Sequence, residues 1–415
     1  MPPLRRAAVP LPPPSRFVPS RFVPSRFVPS RFARPVRIRP VRVLLCGAAG
    51  VLLLSGTLAG CTAPAPRDTA DRDIRAAVAA WAQRPPAELA GIPLQDWAYE
   101  VTGVRRDGAR ATAAAALHYR IAGYDTASAG SAREVRLGLA GGRWRVTGDA
   151  PAPGAPPQLW DQGPVAVVRG AHSLVLGTGA GGPALTEIAA EADRAVPAVN
   201  AAWPQPWAGR LVVLVPGSVD AMAALLGRPA AEYRGMAAVT TGRVGSGPAP
   251  ADRIVLNPEG YAELTAEGRA VVLTHEATHA ATRRATSATT PLWLSEGFAD
   301  WAAYLGTDPA PERAAPALGR AVRRGELPAR LPRNEDFAFG GDPEALARSY
   351  EGAWLACRLV AQRWGGAALV DLYGRAARGP LPLALREALG TDEAALTEAW
   401  RDALRTDLGA AAPAP

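Results

Sequence analysis

Lysine is absent from this sequence of 415 residues, and cysteine and histidine are scarce, at 3 and 4. So few cysteines exclude a disulfide scaffold and a four-cysteine zinc ribbon. The missing lysine, beside heavy use of alanine, glycine, proline and arginine, is the compositional mark of a GC-rich bacterial genome. Acidic residues are missing altogether from residues 1–60, which hold ten of the arginines. The formal charge of +8 therefore belongs to that leader. Without it 36 basic residues face 38 acidic ones, a net charge of −2. That removes the electrostatic case for a nucleic-acid partner. An apolar content of 48% excludes a wholly disordered chain. The length suffices for two or three domains with sizeable cores.

Residues 15–32 repeat Ser-Arg-Phe-Val-Pro, placing Phe17, Phe22, Phe27 and Phe32 at a period of five. Proline at that spacing forbids a helix. The stretch reads either as an extended basic n-region or as translated sequence ahead of a later start at Val36, Val41 or Val43. Val43–Gly60 is an apolar run preceded by arginines, and it ends Leu58-Ala59-Gly60-Cys61. This resembles the bacterial lipoprotein signal. The resemblance implies that the Cys61 thiol receives a diacylglyceryl group and that cleavage leaves Cys61 as the new N-terminus. The protein is then exported and anchored in the cell membrane on the extracytoplasmic side, since two or more acyl chains give stable attachment. A plain signal peptide or a membrane helix is the alternative, though four glycines make a poor permanent span. Residues 61–70 read as a tether. Once Cys46 is removed and Cys61 capped, Cys357 is the one free thiol, and its apolar helical setting makes it a core residue.

Residues 71–149 read as a small α+β domain. Asp71–Gln83 carries Ile74, Val78 and Trp81 on one helical stripe. Alternating runs follow at 97–104 and 111–121, and then a hairpin around Gly141-Gly142 flanked by Val135, Leu137, Leu139, Trp144 and Val146. A helix followed by a curved antiparallel sheet resembles the cone of nuclear-transport-factor-like domains. Such cones can hold a ligand, but no constellation of polar residues stands out, and His118 reads as structural. Residues 150–158 form a Pro-rich linker. From 159 to 312 strands and helices are mixed, with His172 in a loop between two strands, and 313–408 reads as all helix. The expected fold class is thus α+β: a small cone-like domain, a mixed α/β domain, and a helical C-terminal domain.

The chemistry is concentrated in Ala270–Arg284, AVVLTHEATHAATRR. No proline or glycine interrupts it, so it reads as a helix. His275 and His279, at i and i+4, share one face and can reach the same ion. Glu276 projects beside that ion, where a carboxylate can take a proton from a metal-bound water. With four histidines in the chain, a chance His-Glu-x-x-His is expected on the order of once in 500 such sequences. Pro291–Leu305 reads as a second helix, with Glu296 and Asp300 one turn apart. A catalytic zinc needs three protein ligands and one open position, and Glu296 is the obvious third. Asp300 is spaced to accept a hydrogen bond from the far nitrogen of a ligating histidine.

His275-Glu276-x-x-His279 followed by Trp293-Leu294-Ser295-Glu296-Gly297-Phe298-Ala299-Asp300 resembles the gluzincin metallopeptidases, in particular the branch containing aminopeptidase N. Sixteen residues separate His279 from Glu296, slightly fewer than in that branch. Ser349-Tyr350-Glu351-Gly352 resembles the Tyr-Glu-Lys-Gly helix of the same branch. The resemblance implies that Tyr350 donates a hydrogen bond to the oxyanion of the tetrahedral intermediate. It extends loosely over residues 165–408 and implies a zincin-type catalytic domain at 159–312 with a helical domain closing one side of the cleft. One departure is plain. Where aminopeptidases of the branch carry Gly-Ala-Met-Glu-Asn, whose glutamate holds the substrate's free amine, this chain has Gly235-Met236-Ala237-Ala238-Val239. A strict aminopeptidase is therefore not expected.

The function expected is zinc-dependent peptide-bond hydrolysis on the outer face of a bacterial membrane. One Zn²⁺ is expected per chain, and a peptide or protein is the expected substrate. The alternatives are a non-enzymatic envelope lipoprotein with a structural or vestigial zinc site, or a ligand-binding protein acting through residues 71–149.

Overall fold

The structure, a computed structural model, describes residues 66–179, 181–242, 250–338 and 341–409, together with a two-residue strand β1 (Val28–Pro29). The apolar run 43–60 and the lipidation candidate Cys61 lie outside the described residues. Among the described residues no helix is long and apolar enough to cross a membrane. The fold is α+β, as expected.

The first helix, α1 (Pro66–Trp81), begins five residues earlier than its apolar stripe suggests, so the end of the expected tether is helical. Four strands follow in a sequential antiparallel sheet: β2 (Leu94–Asp107), β3 (Arg110–Ile121), β4 (Ala129–Ala140) and β5 (Arg143–Pro151). Gly141 and Gly142, with φ of 57° and 72°, close the β4–β5 hairpin. A two-residue turn with both φ positive matches the strand twist, and glycine adopts it without strain. The inward residues of β3 include Ala111, Ala113 and Ala115. Their small side chains let α1 approach and bury Ile74 and Val78 against Val135 and Leu137. His118 lies in β3, with Nε2 3.6 Å from Glu100 at the surface.

The second sheet contains β6 (Ala166–Arg169), β7 (Ser173–Gly177), β8 (Leu211–Val215), β9 (Ala238–Gly242) and β10 (Arg253–Leu256), in the order β1-β9-β10-β8-β7-β6. Helix α2 (Gly182–Ala202) separates β7 from β8, and α3 (Val219–Leu226) follows β8. The central strands β7, β8 and β10 are parallel; β6 runs antiparallel to β7, and β9 antiparallel to β10 but parallel to β1. His172 sits in the turn between β6 and β7, where its backbone N–H donates to Asp193 (2.9 Å). β8 reads LVVLV, a continuous apolar run, because it is covered on both faces. One face packs on α2 and the helices that follow. The other face, with Leu174, Leu176, Val212 and Val255, packs on α3 and on Leu89, Ile92, Leu117, Tyr119 and Ile121 of the N-terminal sheet region.

That shared core changes the picture of residues 150–158. Ala150 and Pro151 continue β5, and Tyr119 donates to the Gln158 side chain (2.6 Å). Immediately beyond, Asp161 accepts from Arg133 at 2.7 and 2.9 Å, while Arg133, 2% exposed, also holds Asp149. The prolines make this segment extended without making it a loose connector.

The remaining helices are α4 (Pro258–Ala262), α5 (Ala266–Thr282), α6 (Leu292–Tyr304), α7 (Pro311–Ala314), α8 (Pro316–Arg323), α9 (Pro343–Trp364), α10 (Gly366–Ala376), α11 (Leu381–Leu389) and α12 (Glu393–Gly409). Leu369, Leu372, Leu396 and Trp400 are buried in their common core, with Trp364 packed against it. Cys357 is a free, buried thiol of α9.

Candidate metal centre

Two helices build the site. Thr265 caps α5, its hydroxyl accepting from Gly268 N (3.1 Å). From Val271 to His279 every residue of α5 is buried, which is the mark of a helix packed on all sides. Its end is fastened by an ion pair between Arg283 and Asp252 (3.0 Å). Gly242 lies against that pair: a Cβ there would run into the Asp252 carboxylate. The chain then turns back and α6 starts after Pro291, a residue suited to a helix's first turn.

α5 and α6 bring His275, His279 and Glu296 together. His275 Nε2 and His279 Nε2 are 3.0 Å apart, and Glu296 Oε2 is 3.4 and 3.3 Å from them. Three donors held tetrahedrally at about 2.0–2.1 Å from one ion lie about 3.3 Å from one another. The triangle therefore has the size that a zinc ion requires. Both Glu296 oxygens are buried and accept no hydrogen bond. A carboxylate left so is costly unless a cation completes it. Burial pushes the Glu296 carboxyl up, but the His279 and His275 rings outweigh that and hold it down at about 2. The donor set, two imidazoles and one carboxylate, suits zinc. All three side chains are 3% exposed or less.

Asp300, one turn beyond Glu296, accepts from His275 Nδ1 at 2.6 Å. In the neutral ring the proton is thereby kept on Nδ1, which leaves the Nε2 lone pair for a cation at the cluster. Burial lowers the basicity of His275, yet the Asp300 charge raises it well above the usual imidazole range.

Glu276 is fully buried beside the cluster, and its Oε2 accepts from Thr240 Oγ1 at 2.6 Å. Thr240 belongs to β9, one residue beyond the stretch that stands where the amine-binding glutamate would be. Its signal in the sequence is faint: it is one of two adjacent threonines in the strand AVTTG. No acidic residue occurs in β9.

Tyr350 lies on α9, buried, with its ring edge-on to Phe337 at 5.1 Å. α9 crosses α6 next to Glu296, where a Cβ on Gly297 would collide with the Ala353 carbonyl. Tyr350 is one turn before Ala353 on the same helix.

No family model and no curated protein matches the chain. Among solved structures, native yeast LTA4 hydrolase is similar at 13% identity and a TM-score of 0.33, over 66% of this chain and 43% of that chain. The match thus spans less than half of the yeast protein, and a likeness of that size identifies neither activity nor substrate.

Proposed function

We propose that this chain is a zinc-dependent hydrolase of peptide bonds. The observation that carries the reading is the triangle of His275, His279 and Glu296 donors with Glu276 beside it and Asp300 behind it. A zinc ion held there would act as a Lewis acid, polarising a carbonyl and bringing a water's pKa towards neutrality. The residues divide the remaining work. Glu276 takes the proton of the attacking water and passes it to the leaving amine. Asp300 keeps His275 in the tautomer that presents its lone pair. Tyr350 is assigned the hydrogen bond to the developing oxyanion, where a preorganised donor has most effect. This last role rests on its motif and on the α6–α9 crossing.

A structural zinc site fills its four positions with protein ligands and has no use for a buried glutamate alongside. Three donors among the described residues favour a centre that keeps a position for substrate. A peptide substrate is favoured by the outer edge of β9, where an extended segment, β1, already runs parallel along Thr241 and Gly242. The absence of an acidic residue from β9 speaks for an endopeptidase or processing enzyme over a strict aminopeptidase. Export and lipid attachment at Cys61 belong to the same proposal and rest on the Leu58–Cys61 box.

The deciding experiment is elemental analysis combined with cleavage of a peptide library by the wild type and by Glu276→Gln. One zinc per chain in both proteins, with cleavage by the wild type alone, is the expected result. A Glu276→Gln variant that cleaves at the wild-type rate would falsify the mechanism.

A further inference from the structure

The N-terminal sheet reaches Glu276 through contacts in series. Asp125, in the turn after β3, has a fully buried side chain. Its two oxygens accept from Arg253 at 2.9 and 3.0 Å, and from the backbone N–H groups of Ala251 (2.7 Å) and Ile121 (2.6 Å). One carboxylate thus pins the end of β3 to the first residue of β10. Across the antiparallel pair, Arg253 lies opposite Thr241, and Ile254 opposite Thr240. Thr240, itself fully buried, carries the hydroxyl that donates to Glu276 Oε2. The same hydroxyl is 3.1 Å from the Glu276 carbonyl oxygen. A threonine has one proton to give, so a small displacement of β9 decides which oxygen receives it.

A buried ion pair is weak evidence for stability, because desolvating both charges offsets most of their attraction. Its stronger effect is geometric: a bidentate arginine–carboxylate contact fixes distance and plane together. We propose that Thr240 is a positioning residue for Glu276, and that the Asp125–Arg253 clamp sets the height of β9 at which Thr240 meets the carboxylate. Residues 71–149 are then a working part of the catalytic unit and not a separate recognition module. This rests on the peptidase reading of the metal centre.

The test uses the full chain and four variants: Thr240→Val, Thr240→Ser, Asp125→Asn, and the double variant Asp125→Asn/Thr240→Val. Outer-shell substitutions around metal centres typically cost about 10–100-fold, and Thr240→Val should lower kcat by that much with KM and zinc content unchanged. Thr240→Ser should restore most of the loss. Asp125→Asn should lower kcat by about 10-fold through misplacement alone. Because it acts through Thr240, the double variant should be no worse than Thr240→Val. Multiplicative losses in the double variant, or wild-type kcat in Thr240→Val, overturn the proposal. Arg253→Lys, which keeps the charge but cannot bridge two oxygens, probes the same clamp should Asp125→Asn fold poorly. Amide exchange in the zinc-free protein supplies a readout independent of catalysis: Asp125→Asn should speed exchange across 238–242 and leave α12 unchanged. Unchanged exchange in β9 counts against the clamp. A wild type that neither holds zinc nor cleaves peptides defeats the peptidase reading by itself, and the exchange data still judge the clamp.

Discussion

Gly297 packs directly on the backbone of Ala353 where α6 crosses α9: a Cβ on Gly297 would meet the Ala353 carbonyl and lie 2.9 Å from Cys357 Sγ. The obstacle is backbone, which cannot swing aside as a side chain can. Gly297→Ala should therefore force α6 and α9 apart. Overpacking of this kind costs about 1–3 kcal/mol, and here it also moves Glu296, the preceding residue. The expected outcome is a lower thermal midpoint together with weaker zinc retention against a chelator. A Gly297→Ala protein as stable and as zinc-replete as the wild type would show that the two helices do not press on each other.

Asp300 is hydrogen-bonded to the cluster through His275 Nδ1. Asp300→Asn keeps the shape but can orient the ring only with a neutral dipole. Metal affinity should fall by about 10–100-fold while the zinc-free protein keeps its fold. Competition with a colourimetric chelator measures this directly. Equal affinities in the two proteins would remove Asp300 from the metal centre.

Tyr350→Phe deletes one hydroxyl and no packing volume. If the hydroxyl serves the oxyanion, kcat should drop by about 100- to 1,000-fold with zinc content and KM held. Wild-type kcat in Tyr350→Phe would remove the hydroxyl from the oxyanion role.

The pH dependence of stability should carry the mark of Asp252. Burial raises its carboxyl to about 7, more than the charges of Arg283 and Arg253 lower it. Its Oδ1 accepts no hydrogen bond. The folded value stands above the unfolded one of about 3.9. Its favourable contribution is thus complete below about pH 4 and is lost as pH rises through 7. The difference corresponds to at most about 4 kcal/mol. Asp252→Asn should flatten the urea midpoint between pH 4 and 8, and parallel profiles for variant and wild type would refute this assignment.

Helical periodicity made the metal centre legible. His275 and His279 fall on one face because they are four apart, and Glu296 and Asp300 repeat that spacing on the next helix, so local rules sufficed. Thr240 was hidden because a strand-to-helix contact leaves no period in the chain. The Asp125–Arg253 and Arg133–Asp161 pairs were hidden for the same reason: each joins residues far apart in the chain. The prolines of 150–158 misled in a different way. They specify extended backbone, and extended backbone can be packed as firmly as any strand once Tyr119 and Arg133 hold its end.

The second core has a consequence for anyone who would isolate the half that holds His275, His279 and Glu296. Cutting at Gln158 strips Leu117, Tyr119 and Ile121 from the face of the central sheet that carries Leu174, Leu176, Val212 and Val255, and leaves it only partly covered, by α3 and its neighbours. Such a fragment should be less stable and less soluble than the full chain, and thermal melts of the two would show it. The smallest piece that behaves as a protein is the pair of sheets together, joined like two halves of a hinge that was never meant to open.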